Sequence, residues 1–190
     1  MKKLIFIAVS LVSFVGFSQE AQNSVNKKWT LGFGVNFVDN TSTLEGQNFN
    51  SIKQWNVVPT VSKFSLERKW TNQYSSEVAF TFNSLSKNKL HNGETINSDV
   101  YYLALDASGK FYFDEYIAKN SAIDAYVILG LGLNMADTVV NQTGNFGLGL
   151  NVWFLPNLGF RVQTIGKQAF RQEPLNNNHT QHSVEMIFKF

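Results

Sequence analysis

Three histidines, His91, His179 and His182, are the side chains of this sequence best suited to metal binding or to acid–base catalysis near neutral pH. His179 and His182 are three positions apart, which on a β-strand places them on opposite faces, where they cannot hold one metal ion between them. The sequence has no cysteine, which excludes thiol catalysis, a disulfide framework and a cysteine-ligated zinc ion. We therefore expect no metal site and no cofactor.

A serine and a glutamate follow the last histidine closely enough to suggest a catalytic triad. Strand alternation, however, directs His182 away from the face that Ser183 and Glu185 share. A triad requires its nucleophile and its base to be within hydrogen-bonding distance of each other. We therefore predict no catalytic residues, and the chain is not expected to be an enzyme.

Charged side chains of both signs recur on one face of the predicted strands. If that face lines the interior of a β-barrel, an unpaired ion there would cost several kcal/mol. Because eight strands enclose an interior only wide enough for side chains, a salt-bridged network that fills the lumen is favoured over a path for protons or ions. The predicted network comprises five basic and five acidic residues: Lys63, Glu67, Glu77, Asp106, Lys110, Asp124, Arg161, Lys167, Glu185 and Lys189.

Apolar and polar residues alternate along eight segments, so that each segment has one apolar face. Segments of about ten residues are long enough for tilted transmembrane β-strands. The pattern predicts an all-β fold, an eight-stranded antiparallel up-and-down transmembrane β-barrel. The predicted strands are Lys28–Phe37, Thr60–Arg68, Ser75–Leu85, Tyr101–Phe113, Ile123–Asn134, Asn145–Phe154, Leu158–Lys167 and Gln181–Phe190.

The connections between these strands alternate in length. Long connections after odd strands and shorter ones after even strands are typical of an outer-membrane barrel with both chain ends in the periplasm. The predicted long connections are Val38–Asn56, Ser86–Ser98, Met135–Thr143 and Phe170–Thr180. The predicted short ones are Lys69–Gln73, Asp114–Asn120 and Leu155–Asn157.

A pattern in which glycine alternates with apolar residues and ends in asparagine occurs three times, at Leu31–Asn36, Leu129–Asn134 and Phe146–Asn151. A dinucleotide-binding loop would need a third glycine that opens a helix, and here each copy lies inside a predicted strand. The glycines fall on the polar face, where a narrow interior limits side-chain volume. We therefore expect no nucleotide site.

The first 18 residues are predicted to be a cleaved signal peptide, and residues 19–190 the barrel domain. Lys2 and Lys3 precede an apolar run that ends at Phe17, which is too short to span a bilayer. The whole chain has 16 basic and 14 acidic residues, so removing the two lysines leaves 14 of each sign. A balanced mature chain gives no reason to expect binding to nucleic acid.

Four segments resemble the transmembrane barrel of OmpA-like outer-membrane proteins: Trp29–Asn40, Gln54–Arg68, Phe146–Gln163 and His182–Phe190. The resemblance implies a location in the outer membrane, contact with outer-membrane lipid, and a structural or interaction role in envelope integrity, surface recognition or an accessory subunit. Other outer-membrane proteins are possible partners. Many relatives continue into a peptidoglycan-binding domain, and because this sequence stops at the last strand a cell-wall tether is not expected. The alternatives are a narrow passive pore and a soluble β-barrel carrier of an apolar ligand.

The last predicted strand carries alternate apolar residues at Val184, Met186, Phe188 and Phe190. Alternation places all four on the lipid face. A final strand ending in phenylalanine resembles the signal read by the outer-membrane insertion machinery, which would pair it as an added strand. We interpret these four residues as an insertion signal.

Overall fold

The structure, a computed structural model, describes residues 28–41, 55–113 and 122–190. The predicted signal peptide and the predicted Asp114–Asn120 turn lie outside the described residues. Within the described ranges there are ten strands: β1 (Trp29–Asp39), β2 (Lys63–Lys69), β3 (Tyr74–Leu85), β4 (Leu90–His91), β5 (Glu94–Thr95), β6 (Val100–Tyr112), β7 (Ile123–Ala136), β8 (Val139–Leu155), β9 (Leu158–Ala169) and β10 (His179–Lys189). No helix in these ranges is long and apolar enough to cross a bilayer.

Eight of these strands form a closed antiparallel barrel in the order β1-β10-β9-β8-β7-β6-β3-β2, which confirms the predicted fold class. The first and last strands close it, with Leu31 paired to Phe188 on one side of β1 and to Leu66 of β2 on the other. Reciprocal backbone hydrogen bonds of 3.1 and 2.8 Å also join Trp29 and Phe190. Closure leaves no exposed sheet edge, so the barrel backbone is hydrogen-bonded within the sheet.

The two faces of the barrel differ as the alternation predicts. In β7, Leu129, Leu131 and Leu133 point outward and are exposed, whereas Tyr126 and Asn134 point into the lumen and are buried. We call the end of the barrel that holds Trp29 and Lys189 the terminal end, and the opposite one the loop end. Exposed aromatic side chains lie near the terminal end at Trp29, Trp70, Tyr74, Phe154, Phe160 and Phe190, and towards the loop end at Tyr101, Phe146 and Phe170.

The predicted long connection Met135–Thr143 is wrong. The strands β7 and β8 continue past it, pairing Met135 with Val140, and only Asp137 and Thr138 remain between them. Asp137 has a φ of 56°, a left-handed conformation that aspartate tolerates in tight turns. The polar residues that suggested a loop include Asn141 and Thr143, which are buried in the lumen.

Two other parts of the chain have features that the alternation did not predict. The connection between β3 and β6 contains the small hairpin of β4 and β5, in which Leu90 pairs with Thr95. The second barrel strand begins at Lys63 and not at Thr60, because residues 57–61 leave the barrel wall. Asn56 and Ser62, on either side of this excursion, keep their backbone hydrogen bonds to β1.

Glycines on the lumen face make room for large side chains. A Cβ atom on Gly149 would lie 2.3 Å from Cζ of Tyr126, and one on Gly132 would lie 2.3 Å from Oδ1 of Asp106. Tyr126 is fully buried against Tyr112, with 4.9 Å between the ring centroids, so it has no free space to move into. The glycines of the repeated pattern are therefore required by the packing of the lumen, because they leave space for large side chains on the neighbouring strands.

We predict that Gly149→Ala lowers the free energy of unfolding by about 1–3 kcal/mol, because the new methyl group overlaps the Tyr126 ring. Urea unfolding of the barrel in lipid vesicles measures this. Gly109→Ala is the matched control, because a Cβ there meets only the Leu129 carbonyl oxygen at 3.9 Å. Its effect should stay within about 0.5 kcal/mol, and equal losses for the two variants would contradict the packing argument.

Candidate functional site

The lumen near the terminal end holds a cluster of two carboxylates and two cations, all buried. Lys110 Nζ lies 2.9 Å from Glu67 Oε2 and 2.6 Å from Glu77 Oε2. Arg161 Nη1 lies 2.7 Å from Glu77 Oε2, and its Nη2 contacts Glu67. Each cation thus bridges both carboxylates, and we call these four residues the terminal cluster.

Strand register explains why the terminal cluster needs both cations. Glu67 and Glu77 are directly paired residues of β2 and β3, and like charges opposite each other on a sheet repel. Lys110 reaches them from β6 and Arg161 from β9 across the lumen. The Tyr112 hydroxyl also donates to Glu67, and the Gln163 amide donates to Glu77 Oε1 at 3.3 Å.

Two further ion pairs lie in the lumen. Lys63 Nζ is 3.0 Å from Glu185 Oε1 and also donates to Ser183 Oγ at 3.0 Å. Lys167 Nζ donates to Asp106 Oδ1 at 2.8 Å and Oδ2 at 2.7 Å. Buried ions are stable only when they are paired and their remaining hydrogen-bonding capacity is used, and both pairs meet that condition.

Two of the ten residues predicted for the network lie apart from these clusters. Asp124 and Lys189 are only partly buried, near the terminal end, where water can reach them. Asp124 accepts a 2.7 Å hydrogen bond from Trp153 Nε1, and Lys189 Nζ lies 4.1 Å from the centroid of the Trp153 ring. Both belong to strand positions that face the lumen, but alternation alone does not show where the enclosed part of the lumen ends.

Uncharged polar residues fill the lumen towards the loop end, and sequence reasoning missed them. Asn36 Nδ2 donates to Ser62 Oγ at 2.7 Å, and Asn83 Nδ2 donates to Asn36 Oδ1 at 2.7 Å. Asn134 is likewise buried, and its side-chain oxygen accepts from Lys167 at 3.2 Å. A signal was available, because Asn36 and Asn134 each end a copy of the repeated glycine pattern.

Apolar side chains and loop contacts close the loop end. Val38, Leu85, Tyr102, Ala104 and Ala136 form a buried cluster there. The connecting segments are hydrogen-bonded above it. The Asn92 backbone N–H donates to the Asn40 carbonyl at 2.8 Å, its side chain donates to the Pro174 carbonyl at 2.9 Å, and Asn40 Nδ2 donates to the Leu175 carbonyl at 3.1 Å.

His91 belongs to this closed end. It is fully buried in the β4–β5 hairpin, and its Nε2 donates to the Ser86 carbonyl at 3.0 Å. Burial lowers the pKa of the His91 imidazole below its usual range. The neutral ring therefore serves as a packing element of the hairpin at neutral pH.

The other two histidines face opposite sides of the barrel wall. His179 is in the lumen, with its Nε2 2.7 Å from the Tyr102 hydroxyl. His182 faces outward, where its Nδ1 is 3.0 Å from Thr164 Oγ1 and its ring stacks on Trp55. The described residues contain no group of three histidine or acidic side chains that could hold a metal ion.

The barrel is similar to solved structures of outer-membrane proteins. Neisserial surface protein A gives a TM-score of 0.59 at 15% identity, covering 85% of this chain and 97% of that structure. The N-terminal β-barrel domain of Pseudomonas aeruginosa OprF gives 0.52 at 12% identity, covering 86% and 98%. Yersinia pestis Ail in a phospholipid bilayer nanodisc gives 0.52 at 12% identity, covering 87% and 100%.

The chain has the fold of these small outer-membrane β-barrels. This confirms the fold that the sequence resemblance implied. No protein-family model matches the sequence, and no curated protein is significantly similar to it. At identities this low the likeness concerns the fold alone, so a role has to be argued from the residues of this barrel.

We predict that Arg161→Met lowers the free energy of unfolding by about 3–5 kcal/mol, because Glu67 and Glu77 would then share Lys110 alone. Urea unfolding in lipid vesicles measures this. The control is Arg171→Met, since Arg171 is exposed and its loss should cost no more than about 0.5 kcal/mol.

A double variant tests whether the loss comes from charge pairing. Arg161→Met combined with Glu77→Gln removes one charge of each sign, so the remaining Glu67 and Lys110 still form a pair. The double variant should then be more stable than the sum of the two single losses predicts. Strictly additive losses would contradict a coupled network.

Proposed function

We propose that this chain is an integral outer-membrane barrel with a closed lumen, which serves as a structural or interaction protein and not as an enzyme. One observation carries the proposal: apolar side chains cover the outside of the barrel, while paired ions and amides fill its inside. That distribution is the reverse of a soluble protein and is the one a bilayer requires.

The outer surface supports the membrane location. Exposed leucine, valine and phenylalanine side chains occur on all eight barrel strands, among them Phe64 in β2, Val78 in β3 and Leu148 in β8. Burying one such side chain is favourable by about 1.5–3 kcal/mol, so a band of them around a whole barrel is unfavourable in water. Aromatic residues near both ends, such as Trp29 and Tyr101, fit the interfaces on either side of the hydrocarbon core.

The interior supports a closed barrel over the two alternatives. Ion pairs, tyrosines and amides occupy successive levels of the lumen, and the loop segments are hydrogen-bonded over its loop end. A passive pore needs a continuous water path, which this packing opposes. A carrier of apolar ligands needs an apolar interior, and here the apolar residues face outward.

The lumen chemistry also supports a non-catalytic role. A general base or nucleophile needs a reacting group within reach. The carboxylates of the terminal cluster and of the two further ion pairs instead accept hydrogen bonds from lysine or arginine inside the closed barrel. Ser183 donates to Glu185 Oε1 at 3.4 Å, while His182 lies on the other side of the wall.

The last strand fits the proposed insertion signal. Val184 and Phe190 are exposed on the outer face, and Phe188 stacks on Phe33 of β1 with 5.8 Å between the ring centroids. The strand β10 pairs with β9 along one edge and closes the barrel on β1 along the other. We propose that the insertion machinery recognises this strand before it closes on β1.

Single cysteines test the membrane location, since the natural sequence has none. Thr138 lies in the β7–β8 turn at the loop end and Asn72 in the β2–β3 turn at the terminal end, and both are exposed. An impermeant maleimide should label Thr138→Cys on intact cells and Asn72→Cys only after permeabilisation. Labelling of Asn72→Cys alone on intact cells would show that the orientation is the reverse of the one proposed. Labelling of neither variant would contradict the proposed exposure at the cell surface.

Conductance separates a closed barrel from a pore. We predict that the protein, inserted into planar bilayers, gives no steady unitary current, because paired side chains fill its lumen. A shift in gel mobility between unboiled and boiled samples serves as the control for folding. A steady current that rises with salt concentration would favour the passive pore.

A further inference from the structure

An open groove of about 650 Å³ lies on the outer surface across β7, β8 and β9. Its walls are apolar. On the β7 side Leu129 and Leu131 are 75% and 63% exposed, and on the β8 side Phe146 is 60% exposed. The remaining lining residues are Gly130, Gly144, Asn145 and Gln168. No lining residue carries a charge, so the groove is suited to a neutral or apolar occupant.

Gly144 forms the floor of the groove, and its lack of a side chain is not required by the barrel itself. Its backbone is not in the left-handed region, and a Cβ atom there would meet only the Phe170 ring at 3.6 Å, an ordinary contact. By contrast, a Cβ atom on Gly147, the residue that follows Phe146, would approach the Thr164 backbone oxygen to 2.2 Å. Glycine weakens a strand and often marks a place where a ligand approaches closely.

Gln168 gives the groove its one outward-facing polar side chain, because the Asn145 side chain is buried in the lumen, where it donates to Asp106. Gln168 pairs in register with Gly144, so its side chain borders the glycine floor on the β9 side. Its amide has no hydrogen-bond partner among residues 28–41, 55–113 and 122–190. Exposed apolar side chains lie on both sides of it along the barrel axis, at Phe146 and at Phe170. An amide between apolar side chains is stabilised when its surroundings supply a hydrogen-bond partner.

We propose that this groove binds one acyl chain of an outer-leaflet lipid, with the ester or amide linkage of that lipid hydrogen-bonded to Gln168. The inference rests on the proposed membrane location and names a partner for one face of the barrel. In this arrangement the acyl chain lies on Gly144 between Leu131 and Phe146. The polar linkage of the lipid lies towards the loop end of the barrel.

Two features favour an acyl chain over a second copy of the protein. The groove is continuous with the exposed apolar band, so the substance that surrounds the band also reaches the groove. It contains one neutral donor and acceptor group and no charge, which matches the single polar linkage at the head of an acyl chain.

Photo-crosslinking tests the proposal directly. The folded protein is placed in phosphatidylethanolamine vesicles that contain a trace of the same lipid with a diazirine on one acyl chain, and adducts are mapped by mass spectrometry after irradiation. Phe64 and Leu66 of β2, on the opposite side of the barrel, provide the reference for ordinary lipid contact. We expect adducts at Leu129, Leu131 and Phe146 to exceed that reference several-fold.

Two glycine variants make the test specific to the groove. Gly144→Leu fills the floor without a backbone clash and should lower the adducts to the reference level. Gly109→Leu is the matched control, because Gly109 is also outward-facing and open but does not line the groove, and its adducts should match the wild type. Gln168→Leu should lower the excess about fivefold, the effect of losing one hydrogen bond.

The outcomes separate this proposal from the proposed function. Equal adducts at the groove and at β2, or no effect of Gly144→Leu, would overturn the acyl-chain site while leaving the membrane barrel intact. An unchanged excess in Gln168→Leu would contradict the assigned hydrogen bond. Groove adducts below the reference together with a dimer mass would assign the groove to a second copy. Absence of adducts on both faces would contradict the membrane location itself.

Discussion

The pairing of four buried cations with four buried anions inside the barrel is the interaction on which the rest of the structure depends. Glu67 and Glu77 are adjacent across β2 and β3, so they can be enclosed only if Lys110 and Arg161 reach them from β6 and β9. Removing one partner would leave a buried charge without compensation, whereas the complete set is neutral. Lys110 links β6 to the neighbouring β3 and to β2, and Arg161 links β9 to β3 on the opposite side of the barrel, so these contacts connect the wall through the lumen.

Space in the lumen is limited, and the glycine pattern meets that limit. Where a large polar side chain enters the interior, the paired position of the neighbouring strand carries glycine, as with Gly149 beside Tyr126 and Gly132 beside Asp106. Amides and tyrosines then take up the hydrogen-bonding capacity that the ion pairs leave, so the lumen is polar but densely occupied. Because the lumen is filled, we expect ligands or partners to bind at the outer surface or at the loop end.

The outer surface of the barrel is under a different constraint from the lumen, because we propose that it is surrounded by lipid. Most outward positions are large and apolar, and a glycine among them has no packing role inside the wall. Gly144 is such a position, and Gln168 beside it is a polar group in an apolar setting. The surface thus differs around the barrel circumference, which allows one face to select a lipid chain while the others make only general contact.

The sequence by itself determined the number of barrel strands and which residues of a strand share a face, because alternation with a period of two is a local property of the chain. It also placed Lys63, Asp106 and Glu185 in the lumen, but not their partners. Only the tertiary structure decided that Lys63 meets Glu185 and Lys167 meets Asp106, since these contacts depend on strand register and on closure. For the same reason it alone showed that the predicted connection after β7 is a two-residue turn. Asparagine and threonine favour loops in water, but here Asn141 donates to the Asn176 carbonyl and Thr143 accepts from Asn134 of the neighbouring strand, contacts that hold both residues inside paired strands.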